Sequence, residues 1–326
     1  MTITRSIEHN RRTGFASLTK GGLRTSSFPM RLFRKGNQKF WHPDAIDFSL
    51  DAEHFAAMNE DGRTAVTRSA SAFMAGEESV TQDIQPFMHA MAAEGRLADE
   101  AYLTQFAFEE AKHMQGFRMW LDAVGMTGDL HEYTQQSPAY DAIFKDALPK
   151  AMYALVDDPS PAAQIRASVL YNHIVEGTLA LTGYYSWSKL FRAQRILPGM
   201  QKLIKHISDD ERRHMAWGTF TCRRHVAADD ANWEIVEDTI AEFRGPALDL
   251  LTAGPERNRR EGRPSPFGTT PEEIAQYATE RLNRRVEAIR SARGRPVHEI
   301  DEDYSPMELE DRLGDEDGAA RVPAVS

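Results

Sequence analysis

Glu110-Ala111-Lys112-His113 and Glu211-Arg212-Arg213-His214 are the two stretches that decide how this chain is read. In each, a histidine follows a glutamate by three residues. Each lies in a segment whose apolar residues recur every three or four positions, the period of a helix. On a helix that step puts both side chains on one face, about 4.5 Å apart along the axis. A carboxylate and an imidazole so placed can hold one metal ion. One such pair arises by chance in long acidic helices, but two of them, 101 residues apart, are much less readily accidental.

Working outward, each pair is preceded by a glutamate on an earlier helical stretch. Glu77 lies 33 residues before Glu110, and Glu176 lies 35 residues before Glu211, which predicts two similar helical hairpins. Glu109 beside Glu110 reads as a solvated alternative, and the step to His113 selects Glu110. Between Glu77 and Glu78 spacing alone does not decide. Four carboxylates and two imidazoles on four helices are the ligand set of a di-metal carboxylate four-helix bundle. Two divalent cations would balance the four carboxylates, whose burial without them would be costly. Oxygen and imidazole donors suit iron or manganese. His173, three residues before Glu176, reads as packing or as a residue behind the ligands. His206 and His225 read as helix-surface residues, and Cys222 as a buried packing thiol.

The rest of the chain predicts an all-α protein. Helical segments from about 52 to 250 are separated by breaks at Asp61-Gly62, Glu94-Gly95, Gly125 to Gly128, Ser137-Pro138, Asp157 to Pro161, Pro198-Gly199 and Ala228 to Asp230. No stretch alternates apolar and polar residues well enough to predict a strand. A Gly-, Pro- and Arg-rich loop at 253–270 leads to a last helix opened by Thr270-Pro271-Glu272. Residues 1–38 contain Glu8 as the only acid and predict an extended basic lead-in, loosely like a transit peptide. Residues 39–294 form the di-metal domain. Residues 295–326, with ten acids and three arginines, predict an acidic, disordered tail whose removal leaves metal binding intact.

The chain of 326 residues carries a formal charge of −10, which argues against nucleic acid as a partner. It has no apolar run of about 18 residues, the minimum for a membrane-spanning helix. A single cysteine suits a reducing cytoplasm.

From about residue 38 to 290 the chain resembles the small subunit of ribonucleotide reductase, within the ferritin-like superfamily. Beyond the ligand pattern, Phe40-Trp41-His42-Pro43 followed by Ile46-Asp47, Ser49 and Asp51 is similar to that family's buried-tryptophan segment. The resemblance implies a ferritin-like bundle with additional helices, in which Trp41, Asp210 and His113 form a relay behind the metals. A carboxylate on the far N–H of a ligating imidazole fixes its tautomer and raises its basicity. Two positions depart from the usual pattern. Phe117 stands where a radical-storing subunit has tyrosine, and Glu77 where aspartate is usual.

Both departures resemble the branch of ligand-binding oxidases related to that subunit. There, a valine three residues after the first glutamate is joined to a tyrosine. Val80 and Tyr171 occupy those positions, and the match selects Glu77 over Glu78. The resemblance implies one manganese and one iron ion per chain (di-iron is the alternative) and activation of dioxygen. It further implies a Val80–Tyr171 ether cross-link, a long-chain fatty-acid-like ligand at the metals, and a homodimer. The second reading is a ribonucleoside-diphosphate reductase small subunit working with a large subunit, to which the tail with Tyr304 would dock. Iron storage and acyl desaturation are weaker alternatives. Phe73, Phe106, Met114 and Leu179 read equally as channel lining or core.

Overall fold

A computed structural model describes residues 14–134 and 138–319; the first part of the basic lead-in and the last seven residues lie outside the described residues. The helices are α1 (Phe28–Gln38), α2 (Ser49–Ala57), α3 (Glu60–Asp83), α4 (Gln85–Glu94), α5 (Leu97–Ala123), α6 (Pro138–Tyr140) and α7 (Leu148–Asp157). They continue with α8 (Pro161–Ser168), α9 (Leu181–Gln194), α10 (Pro198–Ala228), α11 (Asn232–Arg260), α12 (Pro271–Arg290), α13 (Val297–Ile300) and α14 (Ser305–Ala319). A π-helix, Val169–Ala180, joins α8 to α9 without a break. The described residues contain no strand. The central bundle is α3 and α5 packed on each other, with α10 and the π segment forming the second pair.

Local chemistry sets the ends. Asn59 caps α3 by accepting from the Gly62 N–H, with Glu60 and Asp61 in the first turn. Asp61-Gly62 is therefore the start of a helix, not a break. Gly95 ends α4 at φ 72°, a left-handed conformation that favours glycine. Thr270 caps α12 as the sequence predicts, accepting from the Glu273 N–H. The loop expected from 253 begins later, because α11 runs through Pro246 and Pro255 to Arg260. Each proline removes a backbone donor, and packing of α11 against α12 and the π segment sustains the helix.

Both ends of the chain differ from expectation. Within the lead-in, Phe28–Gln38 is helical and packs on α5. Phe28 and Leu32 are four residues apart and fully buried, a stripe obscured in the sequence by the basic residues around it. The acidic segment is not a disordered tail over its described part. Met307, Leu309 and Leu313 bury one face of α14 against the bundle, where it packs on α10. Its acids meet the body's arginines. Arg285 makes a two-pronged pair with Glu310 at 2.6 and 2.8 Å, with both side chains fully buried. Arg281 pairs with Glu316 and Asp317, Arg223 with Asp303, and Lys35 with Asp311. Tyr304, expected in a docking tail, packs against Phe28 with the Arg31 guanidinium 4.3 Å from its ring centre. Composition predicted disorder because it scored these acids alone, without the cations that neutralise them.

Candidate metal centre

The bundle brings all six predicted ligands into one buried cluster. Glu77 comes from α3, Glu110 and His113 from α5, Glu176 from the π-helix, and Glu211 and His214 from α10. They form two overlapping groups, Glu77/Glu110/His113/Glu211 and Glu110/Glu176/Glu211/His214, each with its donor atoms within 4.8 Å of one another. Glu110 and Glu211 belong to both groups, so each would be shared by two cations if both groups held one. His113 Nδ1 lies 3.4 Å from Glu77 and 3.4 Å from Glu211, and His214 Nδ1 lies 3.0 Å from Glu110 and 3.6 Å from Glu176.

The inward atoms fit a pair of cations. Both Glu110 oxygens, Glu176 Oε1, Glu211 Oε2 and both histidine Nδ1 atoms are buried without a hydrogen-bond partner. A bundle core tolerates so many orphaned polar atoms only where something else satisfies them. The electrostatics agree. Burial raises the Glu77 carboxyl to about 8, with Glu110 and Glu211 adding to the shift and His113 opposing it. Burial would raise Glu110 too, but His214 and His113 outweigh it and hold its carboxyl low. Crowding of carboxylates is what bound cations relieve.

The outward atoms are held by a device only half visible in sequence. His113 Nε2 lies 3.2 Å from Asp210, which also accepts from Trp41 Nε1 at 2.7 Å, so the contacts expected of the Trp41–Asp210–His113 relay are present. His214 Nε2 lies 2.9 Å from Glu109, the residue read as solvated but in fact buried. Arg213 ties the two straps together, donating to Glu109 and to Asp210 at 2.6 Å each. The signal was present: Glu109-Glu110-Ala111-Lys112-His113 and Asp210-Glu211-Arg212-Arg213-His214 are both acid, Glu, any, base, His. The acid preceding each glutamate serves the histidine of the opposite helix.

Around this cluster, Asn172 donates to Glu176 Oε2 at 3.0 Å. Tyr184 is buried and donates to Glu77 Oε1 at 3.2 Å. Tyr171 donates to the Val80 carbonyl at 3.2 Å, with both residues buried beside the ligands. Phe117 is fully buried and stacks on Phe73, whose ring in turn stacks on Tyr184. Gly183 makes room for Phe73, since a Cβ there would lie 2.4 Å from the ring. Trp41 stacks on His206 at 5.0 Å between ring centres. His173 is buried and lowered to about 3 by burial and the Arg285 charge, and it belongs to neither group of ligating side chains. His225 is buried, not on the surface, in a network with Gln164 and Arg224. Burial pushes the Cys222 thiol up to about 12.

A cavity of about 1260 Å³ opens onto the cluster, and Glu77, Glu110, Glu176 and Glu211 form its inner end. Phe73, Val80, Val175 and Leu179 line it, whereas Phe106 and Met114 do not. Phe106 stacks on the His214 ring at 3.6 Å instead. No helix among the described residues is long and apolar enough to cross a membrane.

Residues 29–290 match the ribonucleotide reductase small-chain family. Solved structures give a narrower likeness. The R2-like ligand-binding oxidase from Sulfolobus acidocaldarius is 33% identical, with a TM-score of 0.80 over 88% of this chain and 98% of that one. An R2-like ligand-binding oxidase with aerobically reconstituted Mn/Fe cofactor is 34% identical, with a TM-score of 0.80 over 87% of this chain and 100% of that one. A valine variant of such an oxidase, with the same cofactor, is 33% identical with a TM-score of 0.79 over 85% and 99%. By the span of the family match and by its likeness in sequence and fold to these structures, the chain belongs to the ribonucleotide reductase small-chain family, among its R2-like ligand-binding oxidases.

Proposed function

We propose that this metal-dependent oxidoreductase is a dinuclear manganese/iron oxidase that activates dioxygen and joins Val80 to Tyr171 through an ether bond. We further propose that it holds a long-chain fatty-acid-like ligand in the cavity. The observation that carries the reading is the buried cluster of Glu77, Glu110, His113, Glu176, Glu211 and His214, in which every residue but Glu77 has an unpartnered donor atom and whose four glutamates line the inner end of a cavity. These six would hold the metals, which supply the reduction of dioxygen that side chains cannot perform alone. The chemistry of the donors suits manganese and iron alike. Two of the named relatives were reconstituted with a Mn/Fe cofactor.

The chain's own residues do the rest. Asp210 and Glu109 hold the far nitrogens of His113 and His214, so Nδ1 of each faces inward as a lone-pair donor. Tyr171 keeps its phenolic proton, because burial and the surrounding carboxylates raise its pKa well above 10. Its oxygen stands against the Val80 backbone. Joining the phenolic oxygen to the valine Cβ removes one hydrogen from each residue and passes two electrons to the oxidant. Phe117, with no phenol, cannot store a tyrosyl radical. Tyr304, which the reductase reading would place in a docking tail, is packed against Phe28 and Arg31 instead. Peptide mass spectrometry of protein matured aerobically with manganese and iron tests the proposal. A branched Val80/Tyr171 peptide, two hydrogens lighter than its parts, is expected. Two unmodified peptides from fully metallated, oxidised protein would refute the cross-link.

A further inference from the structure

The inner end of the cavity is anionic and its outer end is not. One face of α3 lines it along its length: Ala65, Arg68, Ala72, Gly76, Glu77 and Val80 follow at helical spacing. Glu77 is buried among the metal ligands, whereas Arg68, nine residues earlier and about 14 Å away along the axis, is exposed at the mouth. From the opposite wall α11 contributes Arg257, also exposed.

Among the described residues, neither Arg68 nor Arg257 has an ion-pair partner. Arg263, on the same rim, pairs with Asp61 at 3.9 Å and with Glu261. Glu132 and Asp249 also line the outer cavity, yet neither forms an ion pair with Arg68 or Arg257. Arg68 and Arg257 line the same cavity, and the positive charge of Arg257 acts on Arg68. Burial and that neighbouring cation together lower the Arg68 pKa, and Tyr133 is the only group opposing them. Two guanidiniums on one cavity, neither paired with a carboxylate, repel each other. An anion between them relieves the repulsion and offers each a charge-assisted hydrogen bond.

We propose that the cavity takes a two-headed amphiphile: an apolar chain with one carboxylate at the metals and a second anionic group, carboxylate or phosphate, seated on Arg68 and Arg257. The inner half of this assignment rests on the proposed metal centre. The outer half rests on the arginine pair and the apolar wall between.

The test is calorimetric titration of the manganese/iron-loaded protein with saturated α,ω-dicarboxylates, from decanedioate to hexadecanedioate, and with monocarboxylates of equal length. At the matching length the diacid should bind about tenfold tighter, the effect of one charge-assisted pair at a half-exposed site. In the R68Q/R257Q variant the diacid should fall to the monoacid's affinity, with metal content by elemental analysis unchanged. A monoacid that binds as tightly as every diacid, or a diacid advantage that survives R68Q/R257Q, overturns the inference and leaves the proposed function standing. Failure of both acids to bind fully metallated protein overturns the ligand reading itself, and this inference with it.

Discussion

The two halves of the metal centre carry the same five-residue pattern but are connected differently to the rest of the molecule. In the α5 half, the strap on His113 is Asp210, which continues to Trp41, and Trp41 to His206 at the rim of the bundle. In the α10 half, the strap on His214 is Glu109, which has no indole of its own and reaches the other strap only through the buried Arg213. The lone glutamates differ as well. Glu77 sits on a regular helix beside the cavity and meets Tyr184. Glu176 sits in a π-helix braced from behind, where Arg285 donates to the Gly177 carbonyl at 3.0 Å and is itself held by Glu310. Similar ligands thus have one side wired outward through an indole and the other locked inward by charge. Surroundings that differ in this way would let two different metals be distinguished.

The largest effect should come from removing what the halves share. Glu211→Ala deletes a carboxylate common to both groups, and elemental analysis should find metal content falling from about two to below one per chain. Full retention of both metals would show that the halves bind independently. Breaking the inward lock is next. Glu310→Gln leaves Arg285 buried without its counter-charge, a loss of about 3–5 kcal/mol by denaturant titration. Truncation after Gly294 should do at least as much, contrary to the sequence-based expectation that the acidic segment is dispensable. Unchanged stability of both proteins would return that segment to the status of a tail.

The straps give a smaller and more discriminating effect. Asp210→Asn and Glu109→Gln should each weaken metal binding by about 10–100-fold. Trp41→Phe, which touches only the His113 side, should leave metal content intact and slow reduction of the oxidised centre in stopped-flow measurements. Equal reduction rates in Trp41→Phe and the parent would remove the outward route. The smallest effect concerns α3 alone. Asp83, buried at its C-terminal end, is raised by burial to about 6. A carboxyl raised in the folded state stabilises fully only below its unfolded value of 3.8, and that contribution is lost as pH rises through about 6. Asp83→Asn should therefore gain on the order of 2 kcal/mol at neutral pH and little at about pH 3. An equal gain at both pH values would exclude burial of the charge as the cause.

What could be read beforehand follows from which forces are local. Helical period and the three-residue step from Glu to His are written within one turn, so the bundle and the two Glu–His pairs were legible from those two patterns, whereas Glu77 was separated from Glu78 only by the family resemblance. Thr270 and Gly95 mark their helix ends for the same reason. Glu109 was misread because its partners, Arg213 and His214, are more than 100 residues away in the chain, and a lone carboxylate on a helix ordinarily faces water. The acidic C-terminal segment was misread in the same way, since its counter-charges Arg212, Arg223, Arg281 and Arg285 lie on α10 and α12. The π-helix has no sequence signal beyond its apolar content; its wider turn is a product of packing.

The central claim is that six side chains on four helices hold two metals in unlike surroundings. Anomalous diffraction at the manganese and iron edges, from crystals of aerobically loaded protein, tests it most directly. Two peaks are predicted, one among Glu77, Glu110, His113 and Glu211 and the other among Glu110, Glu176, Glu211 and His214. The account also predicts that manganese and iron separate between them. A single peak, or metals ligated outside these six residues, would contradict it.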